Sequence, residues 1–432
     1  MRSYYTPILT CLLFFLLAAT KGFATNAFDH AEFVQDSVQV KEFKGTVIAA
    51  DTEKELVFAT IAVENTNIST ITNAEGSFSL KVPLAMAEGY VTISFLGYET
   101  QRISLNKFTR NGNIIRLTPA AIPLQEVSVS SPKNALSLVE SMLKKRGDNY
   151  IDTPVKMTAF YRETIKKRRR DASLSEAVVN IYKQPNSSTR GDIVTLFKSR
   201  KSTNYNRLDT IAVKLQGGPF TPLYLDIMKY PSNIFTDYMM ESYDFTFDRP
   251  TQVNDRSVYV VNFKQKPEEL EPLYYGKLYI ETETHALVSA VFNLNVENRE
   301  LASELLVRKK PAGTSVYPTD AAYRVDYRIK DGKWYYGYSN VQLAVVVNKK
   351  RKLFNSKYYL NSEMAITDWE PYDNSERIRS KNRLRSSIII SDKASGFSDP
   401  DFWGPYNVIE PEKSIESAIE KIQRQLEKEN DA

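Results

Sequence analysis

The chain is poor in the side chains that carry most enzyme chemistry. Its 432 residues include two His and one Cys. His is the usual general base, and His and Cys are the usual transition-metal ligands, so a four-ligand structural zinc site cannot be assembled within one chain. A single Cys also excludes an intrachain disulfide. Glycine is scarce, with 16 in total, and neither a phosphate-cradling P-loop nor a dinucleotide fingerprint occurs. A Ser-His-Asp triad would have to use His30 or His285, and neither sits in a nucleophile-elbow context. No catalytic residue, metal ligand or cofactor is assigned on this basis, and no binding residue is singled out. Carboxylate-pair chemistry leaves no sequence signature, and 52 acidic residues offer no way to choose a pair.

What is present is ordinary for a folded protein: 42% hydrophobic and 25% charged residues. The net charge of +5, from 57 basic and 52 acidic residues, is weak for this length and does not suggest nucleic acid. Tyr (26) outnumbers Phe (21), which suits wide strands with one half-wet face. Arg2 precedes an apolar run from Ile8 to Ala19, too short to span a bilayer. Gly22-Phe23-Ala24 follows with small residues at −3 and −1, which predicts a signal peptide over residues 1–24. The only Cys, Cys11, lies inside it. Ile8-Leu9-Thr10-Cys11 loosely resembles a lipobox, but too few residues precede it and the apolar run continues past it. No other segment has transmembrane-helix length.

Residues 25–40 lack a period and are expected to be a mobile stretch, with His30 a solvated residue within it. From 41 to 118, short β-type runs alternate with turn signals: Phe43–Ile48, Ala59–Glu64, Thr70–Thr72, Ser77–Val82, Tyr90–Phe95 and Ile114–Leu117. Asn73-Ala74-Glu75-Gly76 predicts a turn with positive φ at Gly76, and Asn111-Gly112 predicts a hairpin. This spacing argues for a small β-sandwich. Lys44-Gly45-Thr46-Val47, Phe58 to Val63, Thr70 to Leu80 and Ile93-Ser94-Phe95-Leu96-Gly97-Tyr98 together resemble a carboxypeptidase regulatory-like domain. The resemblance implies a transthyretin-like sandwich that contains no catalytic residues. It implies no peptidase activity here, since the metal-binding His residues a peptidase domain would need are missing.

Residues 119–131 read as a linker punctuated by Pro119 and Pro123. Leu124 to Val129 resembles the junction that follows the same sandwich in many TonB-dependent receptors. A 22-stranded receptor barrel needs roughly 220 residues in strands alone, before turns, loops and plug, and the roughly 300 residues that remain include helical and irregular segments, so a full receptor is not expected. Residues 132–147 predict a helix, with Pro132 in its first turn, Gly147 as its stop and Ala135, Leu138, Val139, Met142 and Leu143 on one face. Thr221–Lys229 reads as a short helix without a clean period.

Long β-segments fill most of 154–368. Val155–Ile165 and Leu174–Tyr182 flank the basic turn Lys166–Arg170. Ser257–Phe263 follows Asn254-Asp255, and Lys277–Glu281 pairs with Leu287–Leu294. Tyr323, Val325, Tyr327 and Ile329 alternate with charged residues, and Asp331-Gly332 turns into Trp334–Val347, followed by Leu353–Ile366. The expected product is one large, curved antiparallel sheet. Tyr275 to Phe292 resembles a hairpin of lipoprotein-carrier-like half-barrels, with His285 a turn residue in it. Asp399 to Asn407 is an aromatic segment expected to pack on the sheet, and Pro411 opens a helix with an apolar stripe through Ile415, Ile419, Ile422 and Leu426.

The fold expectation is therefore mainly β: a transthyretin-like sandwich at 41–118, then at 132–432 a helix, a large antiparallel sheet resembling a half-barrel, and a C-terminal helix. The basic clusters Lys144–Arg146, Lys166–Arg170 and Lys349–Lys352 read as solvated turns that also discourage edge pairing, or as contacts to anionic envelope surfaces. The whole pattern resembles exported carboxypeptidase-like regulatory-domain-containing proteins of the bacterial envelope. The functional expectation is a non-enzymatic protein of the periplasm or outer membrane that holds an apolar, lipid-like ligand or a partner protein. The alternatives are a carboxylate-based hydrolase of envelope glycans and a small outer-membrane barrel.

Overall fold

The structure, a computed structural model, describes residues 39–120, 134–168, 170–203, 214–253, 255–310, 312–350, 355–373, 378–394 and 402–411. The expected signal peptide with Cys11, nearly all of the 25–40 stretch with His30, nearly all of the linker, Pro132 and nearly all of the C-terminal helix lie outside these residues, while Val40 belongs to the first strand.

Two small sheets form the sandwich. One has the order β4 (Ser77–Pro83), β1 (Val40–Ala49), β7 (Asn113–Leu117). The other has the order β3 (Ser69–Ile71), β2 (Thr60–Val63), β5 (Tyr90–Ser94), β6 (Gln101–Ser104). Alternating side chains from both sheets meet in one core that includes Phe43, Val47, Ile61, Phe78, Leu80, Val91, Ile93 and Leu117. Gly76 turns β3 into β4 at φ +67°, where an added Cβ would sit 2.8 Å from the Val47 carbonyl oxygen. Asn111-Gly112 is a turn but not a hairpin: β7 leaves the sheet of β6 and pairs in parallel with β1. Crossing between layers buries Ile115 and Leu117, which a β6–β7 hairpin would not place in this core.

The second architecture is one antiparallel sheet of ten strands. Its spatial order is β10-β9-β8-β17-β16-β15-β14-β13-β12-β11. The strands are β8 (Val155–Lys167), β9 (Arg170–Lys183), β10 (Ile193–Thr203), β11 (Tyr243–Val253), β12 (Arg256–Gln265), β13 (Tyr274–Glu281), β14 (Leu287–Leu294), β15 (Thr314–Lys330), β16 (Lys333–Lys349) and β17 (Ser356–Pro371). Seven register shifts punctuate the ladders, and such bulges bend strands and increase twist, which curves the sheet. Pro250 and Pro318 each fall at a bulge, where a missing N–H costs no ladder bond. Positive φ at Asp331 and Gly332 closes the tight β15–β16 hairpin. Strands β10 and β11 are neighbours in sequence yet form the two opposite edges, so the sheet is open among the described residues.

Each face of the sheet is covered by a different part of the chain. Helix α1 (Ala135–Lys144) is capped by Asn134, whose side chain accepts from Ser137 N at 2.7 Å. Gly147 does not stop it, lying instead inside a second short helix, α2 (Arg146–Asn149). Leu138, Val139 and Met142 of α1 are fully buried on the sheet, a gross gain of about 1.5–3 kcal/mol each. Beside α1 runs the segment 214–242, which contains α3 (Phe220–Leu223) and α4 (Asp237–Glu241). The expected helix over Thr221–Lys229 is only this one turn plus irregular turns. Pro222 cannot donate an intrahelical bond, and the Asp226 carboxylate is captured by Tyr327 and Lys183. A further helix, α5 (Arg299–Leu306), lies in the β14–β15 connection.

The sandwich and residues 402–411 cover the other face. Trp403 packs edge-on against Phe160 at 5.5 Å, within a cluster that also takes Val178, Tyr338, Ala365, Val408 and Ile409. Ser69 donates to the Ile366 carbonyl at 3.1 Å, Thr70 to that of Val408 at 3.1 Å, and Asn407 exchanges two bonds with the backbone of Lys81. The residues from Val40 onward group as a single unit, so the sandwich is bound to the sheet rather than tethered beside it.

Candidate functional site

Three features of the large sheet bear on function: its apolar helix face, the buried charges on both faces, and one open cleft at its β10 edge.

The helix face is a continuous apolar surface. Met157, Ala159, Tyr161, Val179, Ile181, Leu278, Ile280, Ala290, Phe292, Val325, Met364 and Ile366 supply the strands' contribution. Six of the eight methionines (Met142, Met157, Met228, Met239, Met240 and Met364) lie in or against this core. Methionine's three rotatable bonds and polarisable sulfur make such a surface easy to repack. Its cover is non-covalent. Phe220, Leu223, Ile227, Met228, Ile234 and Phe235 of the 214–242 segment are buried on it, and Pro222 accepts from Ser339 Oγ at 2.8 Å.

One polar knot pins that cover. Lys183 on β9 is buried between Asp192 at 3.2 Å and Asp226 at 2.6 Å. Tyr230 donates to Asp192 at 2.8 Å, and Tyr327 to Asp226 at 2.9 Å. Burial alone would lower the ammonium's pKa, but the two carboxylates overcome it and hold it above the ordinary lysine value. Two carboxylates thus share one cation, and the adjoining cavity is about 10 Å3, room for one water at most. No sugar reaches it.

The opposite face carries an alternating ladder of charge. Arg200, Glu176, Arg162 and Glu363 stand directly opposite one another across β10, β9, β8 and β17. Glu176 accepts from Arg162 Nε and from Arg200 Nε, each at 2.8 Å, and Glu363 lies 3.6 Å from Arg162. Arg162 also donates to the carbonyls of Ile409 and Glu410, and Arg200 lies over the Trp403 ring at 4.8 Å. These groups fasten residues 402–411 to the sheet. The aromatic segment thus packs on the sheet, as its sequence suggests.

Glu163, one residue along β8 from Arg162, points to the helix face. Burial raises its pKa to about 7, against a hydrogen bond from Tyr161 at 2.8 Å that favours the carboxylate.

His285 occupies the β13–β14 turn at φ +61°, as the sequence places it, and it has a partner that sequence reasoning missed. Its Nδ1 lies 2.8 Å from Ser141 Oγ on α1. Among the described residues no carboxylate is hydrogen-bonded to the pair to complete a triad. Glu281, at the start of the same turn, is held by Arg256 at 2.5 Å and by Thr284. Burial and Lys145 lower the imidazole pKa, so His285 docks α1 in its neutral form near pH 7.

The open cleft, about 950 Å3, lies between β9–β10 and residues 378–393. Among the described residues Arg379, Lys381, Arg383, Arg385 and Lys393 line it, with Asp392 the one carboxylate. Asp392 is tied to Lys214 at 2.6 Å. Sequence reading passed over this segment as polar and irregular, although Arg379, Lys381, Arg383 and Arg385 recur at every second position. Of the basic clusters it did single out, Lys166–Arg170 is the β8–β9 turn, Lys144–Arg146 ends α1, and Lys349-Lys350 ends β16, while Arg351-Lys352 lies outside the described residues. Among the described residues no group of His, Cys, Asp and Glu is placed to hold a metal, and no helix is long and apolar enough to cross a membrane.

Solved structures with a likeness to this one include a LolA superfamily protein from Nitrosomonas europaea, at 8% identity and a TM-score of 0.23, covering 60% of this chain and 100% of that one. A DUF1329 family protein from Desulfovibrio piger has 11% identity and a TM-score of 0.24, covering 57% of this chain and 96% of that one. Neither likeness bears on what this chain binds. Among curated proteins, none matches the sequence. Residues 43–129 match the CarboxypepD_reg-like domain family, so the sandwich built by β1–β7 is a CarboxypepD_reg-like domain and the protein is one that carries it ahead of a large antiparallel sheet.

Proposed function

We propose that this chain is an exported, non-enzymatic binding protein of the bacterial cell envelope, and that the helix face of its large sheet holds an apolar ligand. The observation that carries the reading is the continuous apolar sheet face under a non-covalent cover, with Met157 and Met364 on the strands and Met142, Met228, Met239 and Met240 in the elements that cover it. The energetics are compatible. Six buried side chains of the 214–242 segment at about 1.5–3 kcal/mol each give about 9–18 kcal/mol gross. An acyl chain of about 16 carbons at about 0.8 kcal/mol per methylene offers a comparable gain on the same surface. A ligand of that kind can exchange with part of the cover at little net cost.

The absence of enzyme activity is supported by how the charged groups are used. The Asp192–Asp226 pair is consumed by Lys183, Glu176 by two arginines, and the open cleft's one carboxylate by Lys214. The small-barrel alternative has less support, because among the described residues β10 and β11 are separate edges and residues of 214–242 pack on the helix face.

Native mass spectrometry after gentle extraction tests the reading. Adducts with the mass of a lipid or lipopeptide are expected. A bare protein that also fails to bind an environment-sensitive apolar dye would overturn it.

A further inference from the structure

We propose that the cationic cleft between β9–β10 and residues 378–393 binds the anionic headgroup, phosphate- or carboxylate-bearing, of the ligand whose apolar part meets the helix face. The inference rests on the apolar-ligand reading above and adds the chemical class of the ligand: an anionic amphiphile.

Charge imbalance is the first argument. Five cations and one carboxylate line the cleft, and that carboxylate is already tied to Lys214. Among the described residues, no acidic side chain pairs with Arg379, Lys381, Arg385 or Lys393. By contrast, Arg200 and Lys183 are each matched by acids, in the ladder through Glu176 and in the knot with Asp192 and Asp226. Surfaces ordinarily intersperse the two signs, so a concave site of one sign focuses potential on a ligand of the other.

Preorganisation is the second. Arg383 is fixed by two bonds from Nε and Nη2 to the Ile378 carbonyl, at 3.0 and 2.8 Å, which sets the plane of its guanidinium. Residue 383 bridges to Thr195 on β10, and Leu384 N donates to the Val194 carbonyl at 2.7 Å. The basic segment is therefore fastened to the sheet edge rather than swinging free. Arginine's planar fork suits phosphate and carboxylate oxygens.

Continuity with the apolar face is the third. Leu196, Leu384 and Ile388 line the cleft and also pack against the helix-face core. Gly217 N donates to the Ile388 carbonyl at 2.9 Å, so the cleft adjoins the start of the 214–242 cover. Cations at the rim and aliphatic groups at the floor match a ligand with a charged head and an apolar tail.

The test uses the full chain and three probes: dioctanoyl phosphatidylglycerol, dioctanoyl phosphatidylcholine, and inorganic phosphate with polyphosphate. They are titrated into wild type and into the variant Arg379→Gln/Lys381→Gln/Arg385→Gln/Lys393→Gln. All four positions are exposed, and an unchanged urea midpoint verifies the variant's fold. The anionic lipid is expected to bind wild type at least about tenfold more tightly than the zwitterionic one at low salt. That preference should shrink at about 0.5 M salt and vanish in the variant, with phosphatidylcholine affinity unchanged. Equal affinities for the two lipids in wild type overturn the headgroup site and leave the apolar-ligand reading standing. Binding of phosphate or polyphosphate without either lipid overturns the amphiphile and makes the cleft a site for a free anion. Binding of no probe overturns both readings.

Discussion

The sharpest consequence of the structure concerns Glu176. Its side chain is 1% exposed and serves two guanidinium groups, Arg162 at 3% and Arg200 at 8%. Replacing it with alanine removes one negative charge and leaves two cations under Trp403 and the sandwich. Breaking a buried pair by deleting one partner costs about 3–5 kcal/mol, mostly the uncompensated charge left behind. Glu363, 3.6 Å from Arg162, offsets part of this for that arginine. A loss of about 3–5 kcal/mol is therefore expected, a large share of the roughly 5–15 kcal/mol typical of a folded domain. Urea unfolding would show it as a lowered midpoint at unchanged slope. Limited proteolysis should show faster cutting within 402–411, since Arg162 and Arg200 hold that segment. The apolar triple variant Arg162→Met/Glu176→Leu/Arg200→Met should recover part of the loss, because it removes both stranded cations while Glu363 keeps its hydrogen bond from Tyr338. A Glu176→Ala loss under about 1 kcal/mol, or a triple variant less stable than the single one, would refute the reasoning.

Three further outcomes follow from the same physics. Glu163 has a folded pKa of about 7 against an ordinary 4.5, so the folded state binds the extra proton and stability falls as pH rises from about 4.5 through 7. Glu163→Gln should flatten that slope and raise stability at pH 8 by up to about 3 kcal/mol in pH-resolved urea unfolding; an unchanged slope would contradict it. Lys183→Met strands Asp192 and Asp226 without their cation, so a loss of about 3–5 kcal/mol and protease cutting within 214–242 are expected; uniform cutting across the chain would argue against a local tether. At the left-handed turn, His285→Asn should be tolerated within about 0.5 kcal/mol, whereas His285→Val should cost about 1–2 kcal/mol from its β-branch at positive φ; equal thermal midpoints for the two would count against strain at that position.

Much of the fold is legible because it is written locally. The turn at Gly76, the alternation through Phe78 and Leu80, and the pairs Asn254-Asp255 and Asp331-Gly332 each need only a few neighbouring residues to be read. The arrangement of the sheet is not local. Nothing in Ile193–Thr203 or Tyr243–Val253 states that these consecutive strands take opposite edges. The segment between them hides its role because its buried residues, Phe220, Leu223, Ile227 and Ile234, follow irregular turns rather than a helical or strand period. The charge ladder is invisible for a similar reason. Arg162, Glu176, Arg200 and Glu363 become neighbours only once the strand register is known. The basic cleft had a visible signal in its alternate cations, but its concavity depends on docking against β10.

The placement of these charges bears on why the two architectures are joined. The face of the large sheet that carries the ladder could not be left as an ordinary apolar face, since it holds Arg162, Glu176, Arg200, Glu363, Arg324 and Arg328 among Phe160, Val178 and Tyr338. Nor is it a surface suited to bare solvent, with those rings beside it. The sandwich answers both demands with polar groups: Ser69 meets Arg328, Asn67 meets Lys330, and Phe58 stacks near Tyr338 and Arg324. Burial there lowers the Arg328 guanidinium to about 10, a strain that persists only while the sandwich is seated. Such an interface specifies one docking geometry more strongly than an apolar one, because a shifted sandwich would leave Arg328 and Lys330 without Ser69 and Asn67. The CarboxypepD_reg-like domain here is therefore a structural cover for one side of the sheet, and the other side, with its cationic rim, is the one the proposed ligand would meet.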